Sequence, residues 1–254
     1  REALDVLEGA LLTADLPQDG RVELAARYRP ASTDHRVGGD WFDALRRPGG
    51  RTLLVVGDVA GHDPTAAAAM GQLRAVLRTL AVDRLEDPAH TVRRLETTAA
   101  ALGLDVTATC LVAELSSGPG ACPGALLRWT SAGHLPPLLL HPGGRAELLT
   151  TAPELLLGVR PDAARSDHEV RLAPGSTLLL YTDGLVERRD HDLDEGLELL
   201  RRTATGLAGR PLPALLDGLL TGLAAALGDP RPPHPAPGAD DVVLLAARLH
   251  PVAA

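Results

Sequence analysis

Four aspartates stand where apolar runs begin or end, and that placement suggests cation chemistry. Asp58 closes the run Leu53-Leu54-Val55-Val56-Gly57, and Asp183 follows Leu178-Leu179-Leu180-Tyr181-Thr182. Asp240 and its neighbour Asp241 precede Val242-Val243-Leu244-Leu245, and Asp40 follows Val37-Gly38-Gly39. A carboxylate beside a core strand is costly to bury unless it is paired or coordinates a cation. Few basic residues adjoin these positions, so hard divalent ions with oxygen ligands are the expected partners. Taken singly, each Asp has a plainer use as a turn former or helix cap, and Asp183-Gly184 reads as a tight turn. The fourfold recurrence is what favours metal. Gly38, Gly39, Gly57, Gly61 and Gly184 would let backbone come close to an ion or a phosphate, where ordinary turn chemistry is the competing use.

Composition narrows the remaining choices. The chain has 254 residues, 45 % of them hydrophobic and only 2 % aromatic, so a core must be built from Leu, Val and Ala. With Gly 26 and Pro 21 there is material for many turns between short elements, which suits an α+β sandwich. Net charge is −8 and Lys and Arg form no long block, which argues against nucleic acid as a partner. Cys110 and Cys122 lack metal-ligand spacing, arguing against a disulfide framework and a zinc site and for the cytoplasm. No apolar run approaches the roughly 18–20 residues that span a bilayer, so no membrane partner is expected. The chain opens on Arg1, with no basic-then-apolar leader, as an excised piece of a longer protein would.

Hydrophobic periodicity supplies the elements that must hold the aspartates. Helical spacing marks residues 3–12, 66–80, a stretch after Pro88, 195–205 and 212–227. Alternating or continuous apolar runs mark strands at 22–28, 41–45, 53–56, 106–115, 126–131, 138–141, 147–149, 169–172, 177–181 and 242–246. Gly49-Gly50 makes the strands on either side neighbours in an antiparallel sheet. Residues 229–238 read as a Pro/Gly-rich linker. The expected organisation is an amino-terminal helix and linker over 1–20, then one catalytic domain over 21–250.

These motifs together resemble the SpoIIE/RsbU-type bacterial branch of the metal-dependent protein phosphatase 2C superfamily. The resemblance rests on seven segments in order: Ala26-Arg27-Tyr28-Arg29-Pro30-Ala31, Val37-Gly38-Gly39-Asp40-Trp41-Phe42-Asp43, Gly57-Asp58-Val59-Ala60-Gly61-His62, Ser131-Ala132-Gly133-His134-Leu135-Pro136-Pro137, Leu157-Gly158-Val159, Tyr181-Thr182-Asp183-Gly184-Leu185-Val186-Glu187 and Asp240-Asp241-Val242. It implies a four-layer α-β-β-α sandwich, two central antiparallel sheets flanked by helices, with a binuclear Mn²⁺ or Mg²⁺ site. By that similarity Asp58 bridges the metals, assisted by the Val59 carbonyl. Asp183 and Asp240, rather than Asp241, complete one metal, and Asp40 serves the second directly or through water.

The implied reaction is hydrolysis of a phosphoserine or phosphothreonine protein by a water held between two cations, without a phosphoenzyme. His62 is the candidate proton donor to the leaving oxygen, against the plainer role of a loop anchor. His134 is expected to be structural, anchoring the Pro136-Pro137 turn, and Arg36 to meet a phosphate or simply be solvated. The substrate implied by similarity is an anti-sigma-factor antagonist. Two other readings are a phosphatase-like module that binds its partner without turnover, and a hydrolase of small phosphoesters. The second lacks stacking aromatics and a nucleotide-binding loop. The amino-terminal helix needs a partner for its apolar face: the domain core, the same helix of a second copy in a homodimer, or an upstream sensor domain. The sequence departs from the family pattern at Asp63, where a small Gly is usual, and over 188–196, where an aromatic-glycine signature is expected.

Overall fold

A computed structural model of the chain describes residues 16–30, 38–61, 64–117, 124–188, 192–227 and 240–250. The expected helix at 3–12, the linker at 229–238, and Arg36, His62, Asp63 and Cys122 lie outside the described residues. The described residues form ten strands and four α-helices in two compact units, each with a five-stranded antiparallel sheet and two helices against it.

The first unit spans the described residues of 37–135 and 151–172, with residues 16–17. Its sheet has the order β2 (Asp40–Arg47), β3 (Arg51–Val59), β4 (Ala108–Ser117), β5 (Ala125–Ala132), β8 (His168–Leu172). Gly49 and Gly50 turn the β2–β3 hairpin with φ of 76° and 70°, a backbone that L side chains rarely adopt. Both faces of β3 are buried, which is why its apolar run is continuous rather than alternating. On one face Trp41, Leu45, Leu53, Val55 and Val59 meet Met70, Leu73, Leu77 and Ala81 of α1 (Pro64–Asp83). Val92, Leu95 and Ala99 of α2 (Pro88–Ala101) complete that cluster. Spacing of three and four residues puts each helix's apolar side chains on one stripe, and each buried Leu contributes about 1.5–3 kcal/mol.

Asp43, Glu96 and Arg165, buried inside this unit, are paired. Asp43, on the helix-facing side of β2, receives Arg78 at 2.7 Å and Arg74 at 3.3 Å from α1. Arg165 and Glu96 form a fully buried two-contact pair at 2.7 and 3.1 Å, and Arg165 also donates to the Leu155 and Leu156 carbonyls. This ties the loop over 151–167 to α2. The same loop caps α2, because Asp167 accepts from the Ala89 N–H at 2.9 Å.

The second unit spans the described residues of 18–36, 136–150 and 173–254. Its sheet has the order β1 (Val22–Arg29), β10 (Val242–Leu249), β9 (Thr177–Tyr181), β6 (Leu138–Leu140), β7 (Ala146–Leu148). α3 (Leu193–Gly206) lies against β6 and β7, and α4 (Leu212–Ala226) against β1 and β10. Asp192 caps α3 by accepting from the Asp194 N–H, and Leu212, Leu215, Leu216, Leu219 and Leu223 give α4 its buried stripe. Gly196 lies in the first turn of α3. A Cβ there would strike the Val186 carbonyl, so the glycine lets the helix approach the chain just after β9. Every strand and helix expected within the described residues is present, with ends that shift by a few residues. Among the described residues no helix is long and apolar enough to cross a membrane.

Candidate metal centre

In the first unit Asp40 opens β2 and Asp58 lies one residue before the end of β3, and the ladder sets them directly opposite each other. Because side chains alternate, the Asp40–Asp58 pair points away from the helices while Trp41 and Gly57 point toward them. Directly opposed cross-strand residues have Cβ atoms about 4.5–5.5 Å apart, where like charges repel. Asp40 is only 1 % exposed, so little water reaches it to weaken that repulsion.

Two glycines make the arrangement possible. The Val59 N–H donates to the Gly39 carbonyl at 3.1 Å. A Cβ on Gly39 would strike the Val59 carbonyl oxygen and stand 2.9 Å from Asp58 Oδ1. The two β3 oxygens expected to be ligands therefore flank a spot that only glycine leaves open. Behind them a Cβ on Gly57 would enter the six-membered ring of Trp41.

In the second unit Asp183 is the first residue of a 3-10 turn (Asp183–Leu185) that leaves β9. The N–H groups of Val186 and Glu187 donate to its carbonyl at 2.8 and 2.7 Å. Burial, and after it the neighbouring Asp240 carboxylate, push the Asp183 carboxyl up to about 6, although a Gly184 N–H hydrogen bond opposes the shift. Its Oδ1 is buried without a hydrogen-bond partner. A Cβ on Gly184 would strike the Asp241 carbonyl and stand 3.3 Å from Asp240 Cβ, so this glycine lets the two acidic segments meet. Asp240 is exposed and adjoins Asp183, whereas Asp241 is buried.

Among the described residues no three His, Cys, Asp or Glu side chains converge to hold a metal ion; the carboxylates come in pairs, one pair in each unit. A pair suits Mg²⁺ or Mn²⁺, which are commonly held by one or two carboxylates with water completing the shell. The all-oxygen donor set, the buried oxygen of Asp183 and the opening at Gly39 fit such an ion.

His134, expected to anchor the Pro136-Pro137 turn, bonds Thr109 and Ser131. The imidazole Nδ1 bonds Thr109 Oγ1 on β4 at 2.7 Å, while Ser131 Oγ donates to the His134 carbonyl and accepts its N–H. Trp41 and Thr182 also shape the site, and in the sequence only their place beside the aspartates marks them.

The sequence profile of the family Stage II sporulation protein E (SpoIIE) matches residues 48–250. The chain belongs to the SpoIIE family. Protein IcfG of Synechocystis sp. is 26% identical over 203 residues, 70% of this chain and 31% of its own length. The chain thus spans about a third of that relative. The structure of the RsbU and RsbW domains of Rv1364c from Mycobacterium tuberculosis is similar with a TM-score of 0.81 and 30% identity, over 96% of this chain and 64% of that one. The PP2C phosphatase domain of SpoIIE from Bacillus subtilis, solved with a fragment of its regulatory domain, shares the fold with a TM-score of 0.71 at 15% identity, over 92% and 65% of the two chains. A SpoIIE-family chain of this architecture has the PP2C-like α+β fold.

Proposed function

We propose that this domain is a Mn²⁺- or Mg²⁺-dependent phosphatase acting on a phosphoserine or phosphothreonine protein, with Asp40, Asp58, Asp183, Asp240 and the Val59 carbonyl as metal ligands. The observation that carries the reading is the opposed Asp40–Asp58 pair, Asp40 buried and Asp58 half-buried, in a chain of the SpoIIE family. When bound, such cations lower the pKa of water and offset the charge of phosphoryl oxygens. Asp58 is assigned the bridging position, and its Oδ1 beside the Val59 carbonyl supports that assignment. Asp183 and Asp240 would hold one cation, and Asp40 would serve the other directly or through water. His62 delivers a proton to the departing serine oxygen, for which an imidazole is suited near neutral pH. The substrate class is an anti-sigma-factor antagonist, supported by the family and by likeness to a chain that carries RsbU and RsbW domains.

The test is Asp58→Asn and Asp183→Asn, each assayed on a phosphoserine protein at saturating Mn²⁺. Asn keeps the volume and removes the charge, so both variants should stay folded and lose turnover. Near wild-type turnover in either variant overturns the assignment. The substrate class is tested separately, by phosphoproteome comparison with and without the active domain.

A further inference from the structure

At the point where β9 turns away from β10, the regular ladder runs out of acceptors. Tyr181 pairs with Leu244, and the next N–H, that of Thr182, still donates to the Val243 carbonyl at 3.2 Å. The return bond has no backbone acceptor at Thr182, because the Thr182 carbonyl is taken by the Leu185 N–H at 3.2 Å to form the 3-10 turn. The side chain replaces it. Thr182 Oγ1 accepts the Val243 N–H at 2.8 Å, and Thr182 is 0 % exposed.

This hydroxyl sits where the two acidic segments meet. Asp183 is the next residue along one strand exit, and Asp240 lies three residues before Val243 on the other. The bond holds the start of β10 against the end of β9 just as the chain changes from strand to turn. Without it a buried N–H is left unsatisfied, at a cost of about 1–3 kcal/mol, and the exit of β9 has one anchor fewer. Asp183 and Asp240 then drift with respect to each other.

We propose that Thr182 is a positioning residue whose buried hydroxyl sets the separation of Asp183 and Asp240 and through it the affinity of the domain for a divalent cation. The inference rests on the reading of Asp183 and Asp240 as metal ligands. It assigns no contact between Thr182 and the ion or the substrate. Side chains that orient ligands in this way change metal affinity on the order of 10–100-fold when lost.

Mn²⁺ titration calorimetry on wild type, Thr182→Ser, Thr182→Val and Asp183→Asn tests it, with thermal melts in the absence and presence of Mn²⁺. Ser keeps the acceptor and loses a methyl group; Val keeps the shape and loses the acceptor. Thr182→Val should raise the Mn²⁺ dissociation constant on the order of 10-fold and reduce the Mn²⁺-induced rise in Tm by about half at an Mn²⁺ concentration about 100 times the wild-type dissociation constant. Thr182→Ser should bind within about twofold of wild type even if its metal-free Tm falls. Thr182→Ala carries the same expectation as Val and replaces it if the Val variant does not fold. Wild-type affinity in Thr182→Val or Thr182→Ala, with binding lost in Asp183→Asn, overturns the role of Thr182 and leaves the ligand reading standing. Equal loss in Ser and Val also overturns it, since the hydroxyl is then not what matters. Wild-type binding by Asp183→Asn overturns the ligand reading and the inference with it.

Discussion

Asp40 and Asp58 face each other across the β2–β3 ladder, and the residues beside them, Trp41 and Gly57, face each other on the opposite side of the sheet. The carboxylates can stand in register only because the indole lies where Gly57 has no side chain. Trp41 is fully buried among α1 and α2 residues, so it has little room to move aside.

Gly57→Ala should therefore destabilise the domain by about 1–3 kcal/mol through overpacking and weaken Mn²⁺ binding by separating the strands. Trp41→Phe in the Gly57→Ala background should recover part of both losses, with a coupling of about 0.5–3 kcal/mol between the two sites. Melts and Mn²⁺ titrations of the four proteins in that cycle measure it. Simple additivity contradicts the packing account.

The pH dependence follows from Asp183. In the metal-free fold its carboxyl is held up at about 6, against an ordinary 3.8, so the folded chain binds the proton more tightly than the unfolded chain. Its contribution to stability is full below the unfolded value and is lost as pH rises through about 6. The metal-free domain should lose on the order of 2–3 kcal/mol from this group across that window, a slope that Asp183→Asn removes. If Asp183 is a ligand as proposed, protons and Mn²⁺ compete for its carboxylate, and Mn²⁺ affinity should fall as pH is lowered through about 6. Denaturant melts and Mn²⁺ titrations across the window check both signs.

Arg165→Met should cost about 3–5 kcal/mol, because it leaves Glu96 charged and buried and strips a donor from the Leu155 and Leu156 carbonyls. Adding Glu96→Gln to Arg165→Met should restore part of the loss. Urea midpoints of the single and double variants decide it, and a double variant no more stable than the single one argues against a charge effect.

His62→Gln should slow hydrolysis of a phosphoserine protein far more than that of an activated aryl phosphate, whose leaving group needs little protonation. Parallel kcat measurements on the two substrates check this. Equal losses would make His62 a loop anchor instead.

Much of this molecule was legible from local pattern. Alternation and continuous apolar runs located the ten strands, and three-to-four spacing located the four described helices, because each element's period is set within a few residues of itself. The acidic motifs were equally plain, since Asp at the mouth of an apolar run is a local feature. Their family order was enough to name a PP2C-like fold.

What stayed hidden depends on partners far apart in the chain. Whether Asp40 opposes Asp58 or slips past it is a matter of register, which the packing of Trp41 under Gly57 decides, and a slip of one residue would send the carboxylates to the other face. Asp43 carries the same side chain as Asp40 and lies three residues away in the same motif. It faces α1 and is neutralised by Arg74 and Arg78, a division of roles that only the burial of the two sheet faces establishes. Arg165 finds Glu96 across 69 positions, and the Thr182 hydroxyl finds the Val243 N–H across 61. Sequence determined which segments are strands, helices and acidic turns, because those choices rest on short-range sterics and periodicity. Tertiary structure decided which carboxylates face each other and which are neutralised, because charge pairing and hydrogen-bond completion in a buried environment depend on whichever side chain the fold brings within about 3 Å.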